Sequence, residues 1–160
     1  MDAGLYAELK RRGLIRPGAQ RPKPARGPAE LLVLCEAGVL LGGLSVALDV
    51  QPDEAVGALC ALIGGEAPRL RILDVRKKPF ELLIQWEGQE ERWEVPDVPA
   101  LVHNLNDLLR DDDSARALAV LGEWQDALQL WGIPKPALRE LLGKRYFQPL
   151  NERDLESLAH

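Results

Sequence analysis

The run "LLVLCEAGVLLGGLSVAL", Leu31 to Leu48, decides the fold of this 160-residue chain. It is apolar on every side, so periodicity alone does not separate a buried strand from a buried helix. As strands it gives two, over about 31–36 and 39–48, turned at Ala37-Gly38. As a helix it starts after Pro28 and stops at Gly42-Gly43, a reading its leucine content favours. Of the two, the strands are expected. A membrane span is the third reading. Glu36 opposes it, at about 2.5 kcal/mol or more near a bilayer centre. Gly38, Gly42 and Gly43 interrupt the run, and well-patterned soluble elements follow it.

Upstream, "MDAGLYAELKRR" carries Leu5, Tyr6 and Leu9 as a small apolar stripe on a short helix capped by Asp2 and ended by Gly13. It has no apolar h-region, so a secretory signal is not expected. Arg16 to Pro28 follows with four prolines and two glycines, the composition of an extended linker. Charge divides the chain at this point. Residues 1–28 hold seven Lys/Arg against two acidic residues, a balance of +5; the remainder holds 13 against 23, a balance of −10. The expected organisation is a short helix plus a Pro-rich basic arm over 1–28, and a single domain over 29–160.

Downstream, "QPDEAVGALCALIGG" reads as a helix begun by Pro52 and Asp53 and stopped by Gly64-Gly65, with Val56, Leu59, Cys60 and Ile63 inward. "LRILDVRKKPFELLIQWEGQEERWEV" reads as a three-stranded meander. A loop at Gly88-Gln89, or over 87–90, sets Trp86 against Glu91, Ile84 against Trp93 and Leu82 against Val95. Phe80, Leu82, Ile84, Trp86, Trp93 and Val95 then share one face, and only an even loop length keeps Trp93 among them. "PDVPALVHNLNDLLRDDD" is a helix capped by Asp97, with Pro99 just inside it. "SARALAVLGEWQDALQLWGIP" has Ala117, Leu121, Trp124, Leu128 and Trp131 at helical spacing, so a helix is expected. A hairpin turning within 122–126 is its rival. "PALRELLGKRY" and "ERDLESLA" add short helices. The fold class is therefore α+β: an antiparallel sheet of about five strands covered by helices, with a flexible basic N-terminal arm.

Catalytic chemistry finds few candidates. Cys35 or Cys60 with His103 is the available thiol–imidazole combination, and no nucleophile elbow accompanies it. Two cysteines in apolar runs read as buried, reduced thiols in a reducing compartment. "GVLLGGLS" lacks the lysine of a phosphate loop. Asp111-Asp112-Asp113 lacks the alternating ligands and glycine of a calcium loop. Glu87, Glu90 and Glu91 line a hairpin tip with nothing to separate their pKa values. The four tryptophans, Trp86, Trp93, Trp124 and Trp131, read as core.

The sequence thus points away from an enzyme and toward a cytoplasmic protein-interaction module, such as an adaptor, a chaperone-like subunit or a regulatory subunit. No cofactor and no metal are expected. The expected partner is another protein or a second copy of this chain. The docking element would be the front segment, through Leu5, Leu9, Arg11, Arg12, Arg16, Arg21, Lys23 and Arg26. A nucleic-acid accessory protein using the basic arm is the alternative, weakened by the acidic remainder and by the absence of aromatics among those arginines. A small enzyme or inhibitor without a recognisable motif is the third.

Overall fold

Gly38 terminates a helix rather than turning a strand. In the computed structural model, which describes residues 4–20, 28–144, 146–147 and 155–158, the deciding stretch divides into α2 (Pro28–Glu36) and β1 (Gly43–Ala47). Gly38 takes φ 75°, its N–H donates to the Cys35 carbonyl, and the Val39 N–H donates to the Leu34 carbonyl. This paired closure at a left-handed glycine is a helix C-cap. The expected strand over 31–36 is therefore a helix, and the expected strand over 39–48 is confined to its second half. Gly42 makes that half possible. At φ 85° it lies so close to Gly132 that a Cβ would stand 2.5 Å from the Gly132 carbonyl oxygen.

The stretch over 114–132 also departs from expectation. It forms the hairpin of β5 (Ala117–Trp124) and β6 (Ala127–Ile133), not a helix. Gln125 and Asp126 both have positive φ, 55° and 61°, as a two-residue turn matched to strand twist requires. A bulge between Val120 and Gly122 resets the register, and β6 is buried along nearly its whole length. A strand buried on both faces loses alternation, and its apolar residues then also satisfy a helical spacing.

The meander forms as expected, from β2 (Arg71–Lys77), β3 (Phe80–Trp86) and β4 (Gln89–Glu94). Its register is two residues away from the expected one: Leu82 faces Trp93 and Ile84 faces Glu91. The turn is Glu87-Gly88, because both central positions need positive φ and these two residues supply it, at 50° and 78°. A shift of two preserves parity, so Leu82, Ile84, Trp93 and Val95 remain on one face and are buried. Trp93→Ala should cost about 3 kcal/mol in a urea melt. A loss below about 0.5 kcal/mol would remove Trp93 from the core.

The described residues hold six strands in two antiparallel three-stranded sheets, ordered β1-β6-β5 and β2-β3-β4, in place of one five-stranded sheet. Contacts divide the chain into two compact units, Met1–Leu48 with Ala117–His160, and Asp49–Arg116. In the first unit, α2 lies on the β1-β6-β5 sheet, and α1 (Gly4–Arg11) and α5 (Lys135–Leu141) contribute to the same core. The second unit holds the meander, α3 (Pro52–Ile63) packed on α4 (Val98–Leu108), and a 3-10 turn at Ala67–Arg69. The α3 stripe of Val56, Leu59, Cys60 and Ile63 is buried, and Asp97 caps α4 by accepting from the Ala100 N–H at 2.9 Å.

The chain is thus not divided at residue 28. Residues 4–20 belong to the first unit: Leu9 and Leu14 are buried, Arg16 N–H donates to Val39, and Leu41 N–H donates to Leu14. The middle of the expected arm, residues 21–27, lies outside the described residues.

Candidate functional site

The expected docking residues meet different fates. Leu5 and Leu9 are 8% and 0% exposed, packed in the core of their own unit, and so are not presented to a partner. Arg12 is held by Glu8 at 3.2 Å and by Glu140. Arg11 and Arg16 are exposed, and Arg16 Nε donates to the Leu40 carbonyl at 3.3 Å. Arg21, Lys23 and Arg26 lie outside the described residues.

What the front helix does instead is carry a buried carboxylate. Glu8, at 7% exposure, accepts from Lys144 Nζ at 2.6 Å, Tyr146 Oη at 3.0 Å and Arg12. Leu5 and Leu9 put Glu8 on the inward side of α1, where a charge survives only if it is paired. The cluster ties α1 to the chain after α5. The Lys144 ammonium, above all, holds the Glu8 carboxyl below its ordinary value of 4.5; burial opposes this, and Tyr146 and Arg12 add to it. Burial and the adjacent carboxylate push the Tyr146 phenol up.

A carboxyl depressed on folding stabilises the fold fully above its unfolded value, and that stabilisation is lost as pH falls through the folded value. Melting temperature should therefore fall as pH drops below about 4.5, and Glu8→Gln should flatten that fall while lowering stability at pH 7. Identical acid profiles for the two proteins would take the acid dependence away from Glu8.

The other sequence candidates resolve into structural roles. Cys35 and Cys60 are buried free thiols, and burial pushes both up to about 11. Cys35 Sγ points at the Leu130 carbonyl, 3.3 Å away. Near pH 8 only about one thiol in a thousand is then the reactive thiolate. Both cysteines should label slowly with a thiol reagent in native protein and rapidly in urea; fast native labelling of either would contradict the burial. His103 is exposed on α4.

Asp112 is a loop staple, not part of an acidic cation loop. It accepts from the Ser114 hydroxyl and N–H, and from the Glu66 N–H. Among the described residues no group of three or more His, Cys, Asp or Glu is arranged to hold a metal ion. Gly42 and Gly43 serve close packing against Gly132 and Cys35. Trp131 is fully buried, with its Nε1–H on the Leu41 carbonyl at 3.0 Å; Trp86 and Trp124 are half-buried. A shallow groove of about 340 Å³ runs between β4 and α4, lined by Glu91, Arg92, Glu94, Asn104 and Asp107 among others.

The feature that local pattern did not disclose is the free edge of β1. Gly132 N–H donates to the Gly42 carbonyl, which sets the alternation: the pairs 44/130 and 46/128 exchange the ladder bonds with β6. Gly43, Ser45 and Ala47 then turn their backbone groups away from β6. Gly43 N–H is taken by the Leu40 carbonyl. Ser45 and Ala47 are exposed, and no partner for their backbone groups occurs among the described residues. The strand, "GLSVA", has no charge and no proline. Exposed leucines stand at its two ends, Leu41 at 48% and Leu48 at 51%. Ser45 is fixed from behind by a short hydrogen bond to Gln129, a fully buried amide whose Nε2 donates to the Trp124 carbonyl.

This edge was missed because 39–48 reads as the interior of a larger sheet. The available signal was a neutral strand flanked by leucines before Asp49. Comparison of the chain with protein families, curated proteins and solved structures yields no match.

Proposed function

We propose that this chain is a non-enzymatic protein-interaction module that binds by strand addition at β1. The reading rests on one observation: the edge of the β1-β6-β5 sheet presents free backbone donors and acceptors at Ser45 and Ala47, with no charge to repel a neighbouring strand. Natural edges are ordinarily blunted by charge, proline or cover, and an open neutral edge is a template for another strand. Backbone bonds supply affinity in this mode, and side chains at alternate positions supply specificity.

The binding element therefore moves from the front helix, whose leucines are consumed internally, to β1. Arg11 and Arg16 remain available as accessory contacts. An adaptor or regulatory subunit of the cytoplasm fits this reading. No helix among the described residues is long and apolar enough to cross a membrane, and both thiols are free.

The test is a pull-down from native extract with three baits: wild type, Ala47→Pro, and a chain with Arg21, Lys23 and Arg26 changed to Ser. Proline at 47 removes an outward N–H without touching the ladder to β6. Specific partners should be lost with Ala47→Pro and kept with the serine variant. The reverse pattern would return the interaction to the basic segment. Nuclease-sensitive capture that depends on those arginines would favour the nucleic-acid alternative.

A further inference from the structure

The two exposed leucines flank β1, Leu41 four residues before Ser45 and Leu48 three after it. Each has about half its surface in solvent. We infer that the strand added to β1 is β1 of a second copy, antiparallel about a two-fold axis through Ser45. This inference rests on the strand-addition reading and names its occupant.

In that register Ser45 faces Ser45, Ala47 faces Gly43, and Leu48 faces Gly42, beside Leu41. Each end of the ribbon therefore sets the exposed Leu48 of one copy against the Leu41–Gly42 turn of the other. Two-fold contacts of this kind are isologous: one patch meets itself, so it must be self-complementary. A strand without charge meets its own copy with no like-charged pair across the seam. Charge at the ends follows the same symmetry. The Arg16 guanidinium and the outward Gly43 N–H both reach the Leu40 carbonyl, which places Arg16 at the N-terminal end of the open edge. Antiparallel pairing sets the two Arg16 side chains at opposite ends. The exposed Asp49 that follows Leu48 enters the end where the other copy holds Arg16.

Small side chains at the closest positions suit the seam. In this register Ser45 exchanges both bonds with its copy and the Ala47 N–H meets the Gly43 carbonyl, the Gly43 N–H staying on Leu40; none of the three side chains is bulky. The pairing would join two three-stranded sheets into one of six. It would also bring the exposed Leu48 of each copy out of open solvent and onto the other copy.

Sedimentation equilibrium of the full chain across a hundredfold concentration range tests this. Wild type should approach twice the chain mass of 17.7 kDa at the high end. Ala47→Pro and Leu48→Glu should each weaken self-association at least tenfold, with unchanged circular dichroism and melting temperature. A positive test avoids reliance on loss. Residue 45 alone faces itself, at a Cα separation of about 5.5 Å, within disulfide range. Ser45→Cys should therefore form a covalent dimer under a mild oxidant. Leu48→Cys should not, because its two copies lie roughly 20 Å apart along the ribbon.

A monomer at every concentration overturns the inference, as does a dimer indifferent to both β1 variants. The two readings separate cleanly. If the chain is a monomer but Ala47→Pro still abolishes capture of another protein, strand addition stands with a different occupant. If capture is also indifferent to Ala47→Pro, both fall.

Discussion

A chain lacking residues 1–20 should show no cooperative melt at 25 °C, or a midpoint lowered by well over ten degrees. The deletion removes Leu5, Leu9 and Leu14, all buried, and strips the cover from the first unit's core. It also removes Arg12 and Glu8, leaving the Lys144 ammonium and the Tyr146 hydroxyl without their carboxylate. Each buried leucine truncated to alanine costs about 2–5 kcal/mol. Release of the ordered segment returns some conformational entropy, so the net loss is smaller than three such terms together. It is still a large share of a stability of about 5–15 kcal/mol.

A point substitution isolates the effect without removing chain. Leu9 is completely buried, and Leu9→Ala should cost about 2–5 kcal/mol by urea titration. A front helix that served only as a docking segment would tolerate both changes. An unaltered midpoint for the truncated chain would detach α1 from the core and restore the arm.

Trp131→Ala should be the most damaging single substitution, at about 5 kcal/mol, the upper end for a buried aromatic. Trp131 sits on β6, the central strand of its sheet, fully enclosed. Its ring stacks on Phe147, with centroids 6.3 Å apart. Its Nε1–H satisfies the Leu41 carbonyl, in the tight turn before β1. Truncation leaves a cavity and an orphan carbonyl together, and the second adds about 1–3 kcal/mol if no water replaces the donor. Trp131→Phe keeps most of the volume and loses the hydrogen bond, so it should cost about 1–3 kcal/mol. If phenylalanine is as damaging as alanine, the hydrogen bond rather than the packing dominates. If alanine costs less than about 1 kcal/mol, Trp131 is not the anchor of this sheet. Because Trp131 holds the Leu41 carbonyl, its loss should also loosen the β1 edge.

Local chemistry by itself determined a good part of this protein. Helices were legible where the signals act within a few residues: an inward stripe with a glycine stop for Pro52–Ile63, and an inward stripe with the Asp97 cap for Val98–Leu108. The meander was legible too, since parity ties Trp93 to Leu82 and Ile84 whatever the register. Burial of both thiols followed from their apolar runs. Tertiary structure decided the rest. Leu31–Leu48 and Ala117–Ile133 are apolar on more than one side, and a residue buried all round carries no period to read. Whether such a run coils or extends depends on what it pairs with, and β1 pairs with β6, some eighty residues further on. The same non-local pairing decides which strand is left at an edge. The free groups of Ser45 and Ala47 arise from the absence of a neighbour, and no residue in "GLSVA" announces that. Likewise Leu5 and Leu9 form the same modest stripe whether they meet a partner or their own core. Only the position of Leu14 against Leu41, and of Glu8 against Lys144, shows which surface covers them.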